Sequence, residues 1–160
     1  MTISTLSTFL KYANVQMAAE AMLHNFGNAA SVEALTFGND RNSKFPSVSA
    51  AEFAADWEVV AHQKNTDTGF SGTLFKAVRS NPALGIVKDE LVLSFRSTEF
   101  VDDAARDTQA TNKMEIAEFG FAFGQIADME RWWGQLNAVG GPLSGGQSVA
   151  VTGYSLGGHL

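Results

Sequence analysis

The stretch Val149-Ala-Val-Thr-Gly-Tyr-Ser-Leu-Gly-Gly-His-Leu160 decides the reading of this chain. Ser148-Val-Ala-Val-Thr152 is short, apolar and β-branched, as expected of a buried strand. It runs into Gly153-Tyr-Ser155-Leu-Gly157, the G-x-S-x-G spacing of a strand-to-helix turn that presents a serine hydroxyl. The spacing has a physical cause. A serine on such a tight turn takes a strained backbone conformation, and small residues at 153 and 157 let neighbouring backbone pass closely. The amide of Leu156 follows at the start of the next turn, where a developing oxyanion would meet both a donor and a helix N-terminus. Ser155 is therefore the candidate nucleophile. The alternative is a plain turn serine.

Working outward, the order of elements suits an α/β fold. Residues 118–138 carry Phe119, Phe123, Ile126, Met129, Trp133 and Leu136 at steps of three and four, which predicts an amphipathic helix. Leu91-Val-Leu-Ser-Phe95 is nearly all apolar and reads as a strand buried on both faces. Strand, helix, strand implies a parallel pair with a crossover. Upstream, Trp57, Val59 and Ala61 alternate with polar residues, "KNTDTG" at 64–69 is a turn, and "FSGTLFKAV" at 70–78 returns as the second arm of a hairpin. "SNPALG" at 80–85 is a further turn. Residues 6–23 predict a helix ending near Asn25-Phe-Gly27. Residues 28–48 read as loop with at most one short turn. Ser49-Ala-Ala-Glu52 has capping-box spacing and predicts a short helix start.

Composition bounds the possibilities. The chain has 160 residues, 45% apolar and 18% charged, with twelve Phe and three Trp, which suffices for one globular domain. The net charge of −6 argues against nucleic acid as partner and against electrostatic docking on an anionic membrane. There are no cysteines, so disulfides and thiolate chemistry are excluded. No apolar run approaches the ~18 residues of a membrane span. Lys11 interrupts the N-terminal stretch, which lacks a basic start and is not read as a cleavable signal. Export by another route stays open, and localisation is unassigned.

A second motif joins the first. "ELVLSFRSTEFVDDAARD" at 90–107 resembles the oxyanion-loop region of the class 3 (fungal-type) lipases of the α/β-hydrolase fold, where a buried strand runs into Phe-Arg-Gly-Thr/Ser. Here the match is Phe95-Arg96-Ser97-Thr98, with Ser97 in the place of the family's glycine. "EFGFAF" at 118–123 resembles the opening of the family's next helix. "VTGYSLGGHL" resembles its Gly-His-Ser-Leu-Gly-Gly elbow, with Tyr154 for the usual histidine. The hairpin with "TGFSGTLF" is similar to that of bacterial members. The resemblance covers about residues 57–160.

The resemblance implies an α/β-hydrolase-like fold, a mostly parallel sheet with an N-terminal antiparallel hairpin. Residues 1–56 form a helical and loop lead-in, and 57–160 the sheet core up to the elbow. It implies hydrolysis of a carboxylic ester through an acyl-enzyme, with Ser155 as nucleophile, Thr98 and Leu156 as oxyanion donors, and Gly153 and Gly157 as elbow glycines. Lipid esters or small esters would be substrates, at a lipid–water interface. No cofactor or metal is needed. Acyl transfer to an alcohol or amine shares every residue named.

In this fold the base follows the serine in the chain, after the acid. His159 is the only histidine after Ser155 and is read as packing in the elbow helix. His24 and His62 are read as structural. The expectation is that the acid and the base come from a further C-terminal part, which leaves the fold incomplete here. The alternative is a non-catalytic hydrolase-like binding module or an inert truncated fragment. Residues 99–117 fall at the family's lid position, and an ordinary solvated helix and loop is the competing reading. Asp102, Asp103 and Asp107 match no calcium-loop spacing and read as a solvated acidic face. Arg96 is expected to pair with an acid that fixes the loop. One of Trp132 and Trp133 is expected to pack on the sheet, and Tyr154 under the oxyanion loop.

Overall fold

The computed structural model describes residues 5–39, 43–97, 122–158 and 160. A mixed four-stranded sheet forms the centre, in the order β1 (Trp57–Gln63), β2 (Gly72–Ala77), β3 (Leu91–Phe95), β4 (Val149–Gly153). β1–β2 and β2–β3 are antiparallel, and β3–β4 is parallel. Two of the three pairings are thus antiparallel: the β1–β2 hairpin, as expected, and β2–β3, so that the described sheet is mixed where a mostly parallel one was expected. The cause is connection length. Residues 64–71 and 78–90 connect β1 to β2 and β2 to β3 without a helix to carry the chain across, the second folded back on itself by the Asn81–Ile86 bridge, so each returns the chain antiparallel. The long β3-to-β4 connection contains a helix and permits the parallel pair.

The sheet is covered on both faces. Thr5–Glu20 (α1), Val32–Phe37 (α2) and Ser47–Asp56 (α3) pack on one, around Val15, Leu35, Phe53, Phe75 and Val92. Phe123–Asn137 (α4) packs on the other, with Trp132 and Leu136 against Phe70, Leu74, Leu93 and Phe95. Alternation along β3 sends Val92 to the first core and Leu91, Leu93 and Phe95 to the second, so all five of its residues are buried.

Three local expectations are corrected. α2 lies inside the stretch read as loop. Its start is fixed by Ser31, whose hydroxyl oxygen accepts the Ala34 N–H at 3.1 Å. α3 begins at Ser47, directly after Pro46, so Ser49 lies inside the helix and is not its cap. The inner face of α4 is Gln125, Asp128, Trp132 and Leu136, while Phe123 and Trp133 are exposed. Polar anchors explain the shift. Gln125 donates to the Thr68 carbonyl at 3.0 Å, and Asp128 accepts from the Thr68 hydroxyl at 2.6 Å. These bonds to the hairpin loop rotate the helix so that Trp132, one residue before Trp133 and one turn after Asp128, meets the sheet. Lys11, which interrupts the apolar N-terminal stretch, is buried. Its ammonium pairs with Glu90 at 2.5 Å and donates to the Gly85 carbonyl.

Candidate functional site

The site lies where β3 and β4 end together. The parallel register pairs Ser94 with Thr152 and Phe95 with Gly153. Arg96-Ser97 and Tyr154-Ser155 therefore leave the same end of the sheet on neighbouring strands. The turn after β4 is a single three-ten turn, Ser155–Gly158. Ser155 has φ of 53°, in the left-handed region that non-glycine residues rarely adopt. Its residue is exposed, while the Leu156 side chain beside it is buried. The Gly157 N–H donates to the Tyr154 carbonyl at 3.0 Å and closes the turn.

The two elbow glycines are required by close approach. A Cβ on Gly157 would lie 2.5 Å from the Phe95 carbonyl oxygen and 2.7 Å from that of Arg96. A Cβ on Gly153 would collide with the Gly157 carbonyl. The elbow thus rests directly on the backbone of the loop after β3. The sequence brought Ser155, Gly153, Gly157 and Leu156 together with that loop, and the described residues place them so. Thr98, His159, the lid stretch at 99–117 and Asp102, Asp103 and Asp107 lie outside the described residues.

The loop after β3 is held from below by α1. The Glu20 carboxylate accepts the Ser97 N–H at 2.9 Å and the Ser97 hydroxyl at 2.7 Å. It also accepts from the Gln16 side-chain amide at 2.8 Å. The same amide nitrogen donates to the Phe95 carbonyl at 2.9 Å, and the Ser94 hydroxyl donates to the Gln16 oxygen at 2.7 Å. Glu20 and Gln16 escaped the sequence reading. Their spacing of four on one helix face was the available signal. An open groove of about 670 Å³ lies above this network, bordered by Tyr12, Met17, Glu20, Ser97 and Tyr154. Tyr154 is exposed at its rim instead of packing under the loop.

The two described histidines belong to the opposite edge of the sheet. His62 sits on β1, in line with Thr73, Ser94 and Thr152 across three strand pairings. Three inter-strand spacings amount to roughly 14 Å, far beyond a hydrogen bond. His62 Nδ1 hydrogen-bonds the Thr73 hydroxyl at 2.9 Å, and His24 stacks on it at 6.1 Å between ring centroids. Burial, then the nearby Arg96 guanidinium, then His24 push the His62 pKa down to about 4. His24 is lowered by burial, then by Arg96 and Lys64. Neither imidazole hydrogen-bonds Ser155.

Among the described residues, no three His, Asp or Glu side chains converge as a metal-binding group. Compared with protein-family models, with curated proteins and with solved structures, the chain matches none.

Proposed function

We propose that the chain carries the nucleophile half of a serine carboxylester hydrolase of α/β-hydrolase type. The observation that supports this most is the backbone of Ser155. A serine held at φ of 53°, exposed, at the end of a parallel strand and seated on a neighbouring loop is costly for a plain turn. The arrangement suits attack on an ester carbonyl. The Ser155 hydroxyl would form the acyl-enzyme, with the amides of Leu156 and of Thr98, next after Ser97, holding the oxyanion. Water would then release the acid.

A serine without a base is a poor nucleophile. Since His62 lies on β1 at the far edge of the sheet and His24 stacks on it from the Leu23–Phe26 turn, the proton shuttle and its carboxylate partner are assigned to chain outside the described residues, in keeping with the fold's order of serine, acid, histidine. β4 ends the sheet among the described residues, with Val151 61% exposed, and can receive a further strand. The assignment to lipid or small esters follows from the resemblance to class 3 lipases alone.

The test is labelling of the full-length protein with a fluorophosphonate, with the modified residue mapped by mass spectrometry, beside a short-chain ester assay. Modification of Ser155, lost together with hydrolysis in Ser155→Ala, is the expected result. The second reading, a hydrolase-like module that only binds, is favoured because no histidine among the described residues hydrogen-bonds Ser155. It predicts no labelling and no turnover.

A further inference from the structure

We propose that Glu20 is the positioning residue of the oxyanion loop, acting through Ser97. The inference rests on the hydrolase reading above and adds to it a group from outside the two motifs. Glu20 is the last residue of α1, 6% exposed. A carboxylate there faces the negative end of the helix, and the last turn carries no basic residue. Burial of a charge adds to the cost. Among the described residues, the donors that reach it, the Ser97 N–H, the Ser97 hydroxyl and the Gln16 amide, are all uncharged.

What the carboxylate does there is fix a backbone. Two of its bonds go to Ser97, the residue before Thr98. Gln16, one helical turn earlier, holds Ser94 and Phe95 of the same segment. The Phe95 and Arg96 carbonyls in turn form the seat of Gly157. α1, the loop and the elbow are therefore one stack, in which Glu20 sets where the loop's amides stand relative to Ser155. An oxyanion donor works only if it is in place before charge develops, so this function should show in the chemical step. Ser97 has a reason to stand where the resembling family carries glycine, because its hydroxyl supplies the second bond.

The experiment uses the full-length protein and compares Glu20→Gln, Ser97→Ala and the double variant. An amide at position 20 has one acceptor oxygen for the donors a carboxylate shares between two. The expected result is a kcat for a neutral short-chain ester lowered about tenfold or more, with KM within twofold. Fluorophosphonate labelling of Ser155 should slow by a similar factor. The double variant should be little worse than Glu20→Gln, since both cut the same link. An unchanged kcat with a lowered melting temperature would reduce Glu20 to a structural residue and overturn the proposal. So would a loss confined to KM, which would make Glu20 a substrate contact in the groove. If Glu20→Gln fails to fold, Ser97→Ala alone decides, with a threefold or greater fall in kcat expected and no fall overturning it. A wild-type protein that is not labelled at Ser155 is a different failure, that of the hydrolase reading itself.

Discussion

Phe95 and Gly153 face each other at the last register position of the parallel pair, and four residues later Gly157 returns to touch the Phe95 carbonyl. The contact makes the elbow and the loop after β3 a single rigid unit. Because the neighbour at 2.5 Å is backbone, it cannot yield as a side-chain end would. Gly157→Ala should therefore cost about 3 kcal/mol of stability, at the upper end of overpacking effects. Urea unfolding measures it, and a loss below about 1 kcal/mol would show that the loop can move away.

Ser155 allows a stability test that does not depend on activity. At an ordinary exposed site alanine is more stabilising than glycine, which gains backbone freedom on unfolding. At φ of 53° the Cβ is the liability, and the order should reverse. Ser155→Gly is expected to be more stable than Ser155→Ala by about 0.5–1 kcal/mol, with both variants inert to the serine probe. Equal or opposite melting temperatures would mean that the serine is not strained.

The elements built on period were legible before the fold. Leu91–Phe95 is apolar apart from Ser94 and Val149–Gly153 apart from Thr152, and both form strands within a residue of the reading, although β4 is partly exposed where a buried strand was expected. The elbow was legible because glycine spacing encodes close approach. What escaped were polar residues working inside. Gln125 and Asp128 look like solvent-facing positions of α4, yet they bond the Thr68 segment and choose the helix face. Glu20 looks like an unremarked helix carboxylate until Ser97, far along the chain, is laid against it. α2 was hidden by a stretch rich in Asn, Ser and Gly, where a single N-cap at Ser31 outweighs composition. Hydrophobic period records burial of carbon, and it carries no mark for a buried hydrogen bond between distant residues.

The seat of Trp132 gives a prediction for the second core. A Cβ on Gly72 would stand 2.6 Å from the Trp132 Cζ3 atom and 3.3 Å from the Phe95 ring. Gly72→Ala should destabilise by about 1–3 kcal/mol. Trp132→Phe removes the colliding ring, so the double variant should lose less than the sum of the two single changes. Strict additivity in thermal unfolding would mean that the indole does not pack over β2.

The His62 site predicts an acid-sensitive fold. Its imidazole is held neutral with a pKa of about 4, against the ordinary 6.5 it regains on unfolding. Between those values the unfolded chain binds a proton that the folded chain refuses, so stability rises with pH across that window. The contribution is fully present above pH 6.5 and is lost as pH falls toward 4. Its size is on the order of 3 kcal/mol. The charges facing the ring are those of Arg96 and, once protonated, His24, and both oppose its protonation. His62→Gln cannot take up a proton, so its unfolding free energy should fall less than that of the wild type between pH 7 and pH 4.5. Parallel slopes for the two proteins in denaturant titrations across that range would place the acid sensitivity in other groups.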